Sequence, residues 1–363
     1  MSLQPNHYGP DEAATMLLNT GIAKAYQRLD LMISRNFIGG ALTSVGGMVT
    51  LLVKGGCNGM LEKNPAVVNL LAGLVFPVGA VMSTLTGGEL STGNVLFLSV
   101  ALLQRKIPMW RALYCFMVSF FANLAGSLFY LLIAHYGHIL SDDPYRQGTI
   151  VSAREKVIDP SGATVFVRAI GANWLICIGT FTALLSRTAV AKVIAIWIPI
   201  FVFVAVGFEN SVANMFLVPI AMINGAPVSV GLFIWKSLIL STLGNIVGGF
   251  FFVAGAYWYI YLFPKISEED DENLNMGKSP GPLLPIAEGH NLELDPVLTR
   301  IFTRQTATRH STALSNHSVE SFSRRNNAQD KHNGSRSNGA TEHSTTEMEN
   351  PATGSSTDDE KSE

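Results

Sequence analysis

Six apolar stretches limit what this chain can fold into more than any other feature of its sequence. A helix needs about 17–25 apolar residues to cross the hydrocarbon core of a bilayer. The stretches that approach or exceed this length are 36–53, 66–104, 112–133, 169–186, 193–223 and 237–264. The second and the fifth are too long for one span, and each is interrupted by glycines close to an acid. The sequence therefore predicts an all-α membrane protein with six spans and excludes a soluble enzyme.

A repeated motif, E-x-S-x-(G/A)-N, occupies the two interruptions. It reads ELSTGN at 89–94 and ENSVAN at 209–214, and each copy is followed by an asparagine with a glycine three residues later, at Asn123 and Asn245. The pattern predicts two copies of a three-span unit, at about 33–136 and 163–264. An odd number of spans places the copies in opposite orientations. Inverted repeats with interruptions in corresponding helices indicate a transport path near the middle of the membrane.

The acids in these interruptions require an explanation, because unwound backbone at membrane depth must be satisfied by protein or by a water-filled cavity. Each break also exposes the N-terminus of a half-helix. We interpret Glu89 and Glu209 as caps of the breaks, held by Asn94 and Asn214 five residues later. An alternative is that the acids bind a cation directly, although the spans offer no oxygen-rich cluster for one. We expect no metal and no cofactor.

The polar segments outside the spans complete the predicted organisation. Residues 1–32 form a cytoplasmic N-terminus, 33–264 the transport domain and 265–363 a polar cytoplasmic tail, whose composition predicts disorder. A slight excess of Lys and Arg favours this orientation. Serines and threonines near arginines in the tail are either kinase sites or a simple result of composition. The chain has no basic stripe of the kind that binds nucleic acid.

The interrupted segments resemble the formate/nitrite transporter family. The resemblance is carried by FPVGAVMSTLTGGELSTGNVL at 76–96 and GFENSVANMFLVPIAM at 207–222, with support from GIAKA and LGNIVGG, and it extends from about residue 15 to 264. It implies an aquaporin-like fold in which helices 2 and 5 of a 3+3 inverted repeat are broken. It also implies a homopentamer with one pore per subunit, which moves small monovalent weak-acid anions together with a proton.

The resemblance also implies roles for individual residues. Two apolar constrictions and a central hydroxyl would come from Phe76, Ala80, Leu90, Phe203 and Thr92. A lysine, an acid and an asparagine would meet at each pore mouth, as Lys24, Glu89 and Asn94 on one side and Lys156, Glu209 and Asn214 on the other. Further polar positions on the path are Asn123, Asn173 and Asn245.

Four positions depart from the family pattern, and one of them is Glu89, which stands where many relatives carry an aspartate. Asn210 stands where most members carry a pore-centre histidine, and an amide can donate a hydrogen bond to an anion but cannot give it a proton. The departure indicates proton supply from vestibule water, a changed substrate, or a channel-like leak. Ala80 and Ser91 are smaller than the usual residues and indicate a wider slit.

The predicted function is transport of formate or nitrite coupled to protons. The predicted location is the plasma membrane of a eukaryote of fungal or protist type. The small Ala80 and Ser91 leave export of acetate or lactate as an alternative. A membrane sensor with a vestigial pore is the alternative from another class. The spans hold no nucleophile–base pair, so we expect no enzyme activity.

Overall fold

A computed structural model describes residues 7–263, and this part of the chain is built from twelve helices with short connections. They are α1 Pro10–Tyr26, α2 Leu29–Gly56, α3 Asn58–Lys63, α4 Pro65–Val75, α5 Pro77–Thr86, α6 Ser91–Leu103, α7 Met109–Tyr136, α8 Tyr145–Ala153, α9 Gly162–Leu185, α10 Ala189–Ala205, α11 Ser211–Ile223 and α12 Val230–Leu262. The predicted polar tail, 265–363, with its expected disorder and kinase sites, lies outside the described residues.

Five helical segments are long and apolar enough to cross a membrane, namely α2, the continuous pair α4–α5, α7, α9 and α12. The prediction of an all-α membrane protein is thereby confirmed. The predicted fifth stretch falls on two shorter apolar helices, α10 with 17 residues and α11 with 13. The count of six spans stays a prediction.

Glycines with left-handed backbone end two of the apolar helices. Gly87 follows α5 with φ 81°, and Gly207 follows α10 with φ 75°. Only glycine adopts this conformation without steric cost, and it commonly terminates helices. Helical structure resumes at Ser91 and at Ser211, so Glu89 and Glu209 both lie in short non-helical segments.

Two helices that precede the long spans were not predicted from the sequence. In the first half, α1 buries Ala13, Ala14 and Leu17 against apolar residues of α6, α9 and α12. In the second half, α8 and the π-helical turn Arg154–Ile158 pack near α2 and α11. Each half thus consists of a short helix, a long helix, an interrupted pair and a second long helix, and the predicted repeat boundaries omit the short helix of each.

Candidate functional site

A buried carboxylate in the first non-helical segment gathers four polar side chains. Glu89 is 6% exposed, and its Oε2 lies 2.8 Å from Lys24 Nζ. Asn94 Nδ2 donates to the same oxygen at 3.4 Å, as does Gln27 Nε2 at 3.4 Å. Arg35 Nη1 lies 3.4 Å from Oε1. We call these five residues the first acid cluster; Gln27 and Arg35 were not predicted to belong to it.

The second non-helical segment holds a matching but smaller group. Glu209 is 1% exposed, and Lys156 Nζ lies 3.3 Å from each of its carboxylate oxygens. Asn214 Nδ2 donates to Oε2 at 2.9 Å. We call these three residues the second acid cluster. The structure brings together the lysine, the acid and the asparagine that the sequence associated with each half.

Lys24 is set apart from an ordinary surface lysine by its surroundings. It lies on α1, and its side chain is mostly buried. Its Nζ lies 5.2 Å from the centroid of the Phe97 ring. Burial lowers the pKa of Lys24, and the neighbouring Glu89 carboxylate opposes this shift. The ion pair with Glu89 is therefore what compensates the buried charge.

An asparagine of α7 holds the first non-helical segment in place. Asn123 Oδ1 accepts a hydrogen bond from the backbone N–H of Ser91 at 2.7 Å. Its Nδ2 donates to the carbonyl oxygens of Asn36 at 2.6 Å and Glu89 at 2.9 Å. One side chain thus satisfies the first N–H of α6 and two carbonyl groups on neighbouring segments.

An asparagine of α12 makes the same three contacts in the second half. Asn245 Oδ1 accepts from Ser211 N at 3.0 Å, and its Nδ2 donates to the carbonyl oxygens of Ala169 at 2.8 Å and Glu209 at 3.1 Å. We refer to Asn123 and Asn245 as the two asparagine clamps. Their agreement bond by bond shows that the two halves share one local architecture.

The clamps correct the interpretation of the two acids as helix caps. The first N–H of α6 and of α11 is satisfied by an asparagine, while the hydrogen bonds described for both carboxylates come from lysine, arginine, glutamine and asparagine side chains. A carboxylate gains more from an adjacent cation than from a neutral amide N–H. Glu89 and Glu209 therefore compensate buried cations and do not close the helix ends.

An aromatic pair lies between the two interrupted segments. Phe76 and Phe203 are buried, and their ring centroids are 5.9 Å apart in an edge-to-face arrangement. Ala80 belongs to the same apolar cluster. Leu90 lies apart from this cluster and packs with residues such as Val212 of α11. The apolar residues expected at the constrictions thus fall into two separate groups.

A cavity of about 450 Å³ leads to the aromatic pair from the side of the second acid cluster. Its charged lining residues are Lys54, Glu155, Lys156, Asp159, Arg168 and Glu209. Phe76, Phe203 and Asn210 also line it. The cavity therefore connects a charged, partly open vestibule with an apolar constriction.

The side chain of Asn210 caps the N-terminus of α11. Asn210 is the residue before α11, and its Oδ1 accepts a hydrogen bond from Ala213 N at 3.0 Å. Asparagine is among the preferred residues at this position of a helix. With the oxygen engaged in the cap, the N–H₂ group is the end of the amide that can serve a molecule in the cavity.

Asn173 links the two halves at the centre of the bundle. Its Nδ2 donates to the carbonyl oxygen of Thr92, in α6, at 3.2 Å and to that of Asn245, in α12, at 2.7 Å. Thr92 itself is buried, and its role as a central hydroxyl on the path stays a prediction. Nearby, the hydroxyl of Ser91 is buried with no hydrogen-bond partner in the described part of the chain.

The described residues offer little to a metal ion. Within 7–263, no three His, Cys, Asp or Glu side chains come together in a way that could ligate one. The three cysteines are free thiols. The polar groups of the site are amides and ion pairs.

Comparison with known proteins identifies the family. The formate/nitrite transporter family model matches residues 11–259. This chain belongs to that family. It is 38% identical to a probable formate transporter of Methanothermobacter thermautotrophicus, over 64% of this chain and 90% of the relative. It is 36% identical to a formate channel of Bacillus thuringiensis, over 69% of this chain and 95% of the relative.

A solved structure of a pentameric formate channel with formate bound has a similar fold. The TM-score is 0.55 at 28% sequence identity, and the alignment covers 66% of this chain and 98% of that chain. Together with the five apolar helices, membership of this transporter family identifies the chain as a multi-pass membrane protein.

Proposed function

We propose that this family member transports small monovalent weak-acid anions, formate or nitrite first, together with a proton. The observation that carries the proposal is the vestibule cavity, which begins at the second acid cluster and ends at Phe76 and Phe203. Relatives described as formate transporters or channels support the choice of substrate.

The proposed mechanism follows from the change of surroundings along this cavity. Cations at the vestibule concentrate the anion by screened Coulomb attraction. As the anion approaches the aromatic pair it loses water, and desolvation disfavours its charged form and raises the pKa of the substrate. The neutral acid then crosses the apolar constriction, where a bare anion would cost several kcal/mol or more.

Each side chain has a proposed role on this path. Phe76, Ala80 and Phe203 form one constriction and Leu90 the other, while Thr92, Asn210 and Asn173 supply polar groups near the centre. Ion pairs with Glu89 and Glu209 hold Lys24 and Lys156 in place at the two mouths, and the asparagine clamps hold the breaks. Because Asn210 cannot donate a proton, vestibule water is the proposed proton source.

The proposed assembly is a homopentamer in the plasma membrane with both termini in the cytoplasm. The pentameric state of the structurally similar formate channel supports it. Large apolar side chains are exposed on the long helices, among them Trp110, Phe121, Val167, Phe251 and Tyr259, and these surfaces suit lipid or neighbouring subunits.

Flux measurements on purified protein in liposomes test the substrate directly. Formate, nitrite, acetate and lactate are presented outside vesicles that hold a pH-sensitive dye. We expect formate and nitrite to enter fastest and to acidify the interior, since each carries a proton inward. Preferential flux of acetate or lactate would favour the exporter alternative, and absence of flux for all four anions would overturn the proposal.

Asn210→His tests the proposed source of the proton. An imidazole can gain and lose a proton within the physiological pH range, with an ordinary pKa of about 6.5 in water. If water supplies the proton, we expect the dependence of formate flux on pH to stay close to that of the unchanged protein. A large gain in flux with a new inflection near the imidazole pKa would show that a central donor limits the wild-type rate, against the water-donor mechanism.

Deletion of residues 266–363 separates transport from signalling. A transporter with an accessory tail keeps its anion flux after the deletion. Absence of flux in both the full chain and the shortened chain, with the oligomer intact, would instead favour the sensor with a vestigial pore. Kinase sites in the tail remain a proposal, which phosphate mapping on the expressed protein would test.

A further inference from the structure

Arg168 is a cation of the vestibule that forms no ion pair with a carboxylate of residues 7–263. It is half-buried on α9 and lines the cavity, and its carbonyl oxygen accepts the backbone N–H of Glu209 at 3.4 Å. Its position beside the second acid cluster is therefore fixed by the backbone, independently of what its guanidinium group contacts.

The other charged residues of the vestibule are already paired. Lys54 Nζ lies 2.6 Å from Glu155 Oε2, and Lys156 is engaged by Glu209. Asp159 lies 3.9 Å from the guanidinium of Arg154, a residue outside the cavity lining. Across residues 7–263, no carboxylate lies within ion-pair distance of Arg168. The cavity thus has one cation whose charge is not compensated by a described neighbour.

The first half shows what the equivalent arginine does when a carboxylate is in reach. The backbone N–H of Glu89 donates to the Arg35 carbonyl oxygen at 3.0 Å, the same contact that Glu209 makes with Arg168. Arg35 and Arg168 therefore occupy corresponding positions. The guanidinium of Arg35 binds the Glu89 carboxylate, whereas that of Arg168 binds no carboxylate of the described chain.

We infer that Arg168 captures the transported anion in the vestibule and favours planar anions with two oxygen atoms. A guanidinium group presents parallel N–H donors that match a carboxylate or a nitrite ion, a geometry that the point charge of lysine cannot reproduce. This inference rests on the proposed transport function and adds to it a specificity residue. Lys156 is held by Glu209 in an ion pair, so its charge is compensated and Arg168 is the group proposed to contact the anion.

The test uses Arg168→Gln and Arg168→Lys in liposome flux, with Arg28→Gln as the matched control. For Arg168→Gln we expect the half-saturating formate concentration to rise about tenfold, as for loss of one charged hydrogen-bond pair. For Arg168→Lys we expect a rise of about threefold, because the charge stays and the paired donors are lost. The maximal rate should stay within about twofold of wild type for both, since capture precedes the crossing step.

Arg28→Gln is expected to leave the half-saturating concentration unchanged, because Arg28 is exposed, pairs with the exposed Asp30 and lies outside the cavity lining. An Arg168→Gln protein that behaves like this control would overturn the inference, and so would an Arg168→Lys protein with wild-type half-saturation. A lower maximal rate at unchanged half-saturation would assign Arg168 a purely structural role. Failure of the proposed function is distinguishable, since wild-type protein would then carry no formate.

Discussion

The two acid clusters stand on the same scaffold but differ in charge. Glu89 contacts two cations, Lys24 and Arg35, and accepts hydrogen bonds from the amides of Gln27 and Asn94. Glu209 contacts one cation, Lys156, and one amide, that of Asn214. The first cluster therefore carries two positive charges for one negative charge. The second carries one of each, and it is more deeply buried, at 1% exposure against 6% for the acid of the first cluster.

The difference shows that backbone geometry and electrostatics are set by separate residues. The asparagine clamps repeat with the same donors, acceptors and backbone partners in both halves. The charged neighbours come from outside the motif: Lys24 from α1, Arg35 from α2 and Lys156 from the π-helical turn after α8. The two halves thus share the break and differ in the charge around each acid.

Removing the lysine from each cluster should give the largest contrast. Lys156→Met leaves Glu209 buried with one asparagine, and loss of one partner from a buried ion pair costs about 3–5 kcal/mol. Lys24→Met leaves Glu89 with Arg35 and Gln27, so we expect about half that loss. Denaturant unfolding of the purified protein in mixed micelles measures both free energies.

Asp30→Asn is the control for this comparison. Asp30 pairs with Arg28 at 2.7 Å, but both side chains are mostly exposed, so the free energy of unfolding should stay close to that of the unchanged protein. Equal losses for Lys24→Met and Lys156→Met would show that Arg35 does not substitute for the missing lysine. The charge difference between the clusters would then have no energetic consequence.

Alanine at each asparagine clamp should give two nearly equal effects. Asn123→Ala and Asn245→Ala each remove an acceptor for a helix N–H and a donor to two carbonyl groups. Unsatisfied buried polar groups cost about 1–3 kcal/mol. The same micelle unfolding assay applies, with the paired variants serving as controls for each other. A loss confined to one clamp would contradict the shared scaffold.

Asn210 offers the smallest and most local test. Asn210→Ala removes the side-chain cap of α11 and should lower stability by about 1 kcal/mol, whereas Asn210→Ser keeps a capping oxygen and should lose less. Leu90, at the corresponding place before α6, makes no side-chain cap, so Leu90→Ala tests packing alone. Thermal unfolding in detergent resolves these shifts. An Asn210→Ser protein as unstable as Asn210→Ala would argue against the cap.

Much of the fold follows from patterns that can be read directly. Long uncharged stretches predict spans because a bilayer admits few structures other than helices and closed barrels. Five helical segments are confirmed as candidate spans. The motif E-x-S-x-(G/A)-N located both acids together with Asn94 and Asn214, since a helix that starts just after the acid returns the asparagine to the carboxylate.

Other features depended on contacts between distant segments. Helices α1 and α8 carry modest apolar content, so no membrane-span pattern distinguished them from loops. Arg35 directly precedes the first apolar stretch, and nothing in that position indicates that its long side chain reaches Glu89. The cap made by Asn210 did have a signal, because asparagine directly before an apolar helix is a common N-cap.

The asparagine clamps constrain how the passage can open. Each one joins the kink to the long helices on both sides of it, so the unwound backbone cannot slide or refold without breaking three hydrogen bonds at once. Gating motions are thereby directed elsewhere: to rotation of the two phenyl rings, or to displacement of the peripheral helices that carry Lys24 and Lys156.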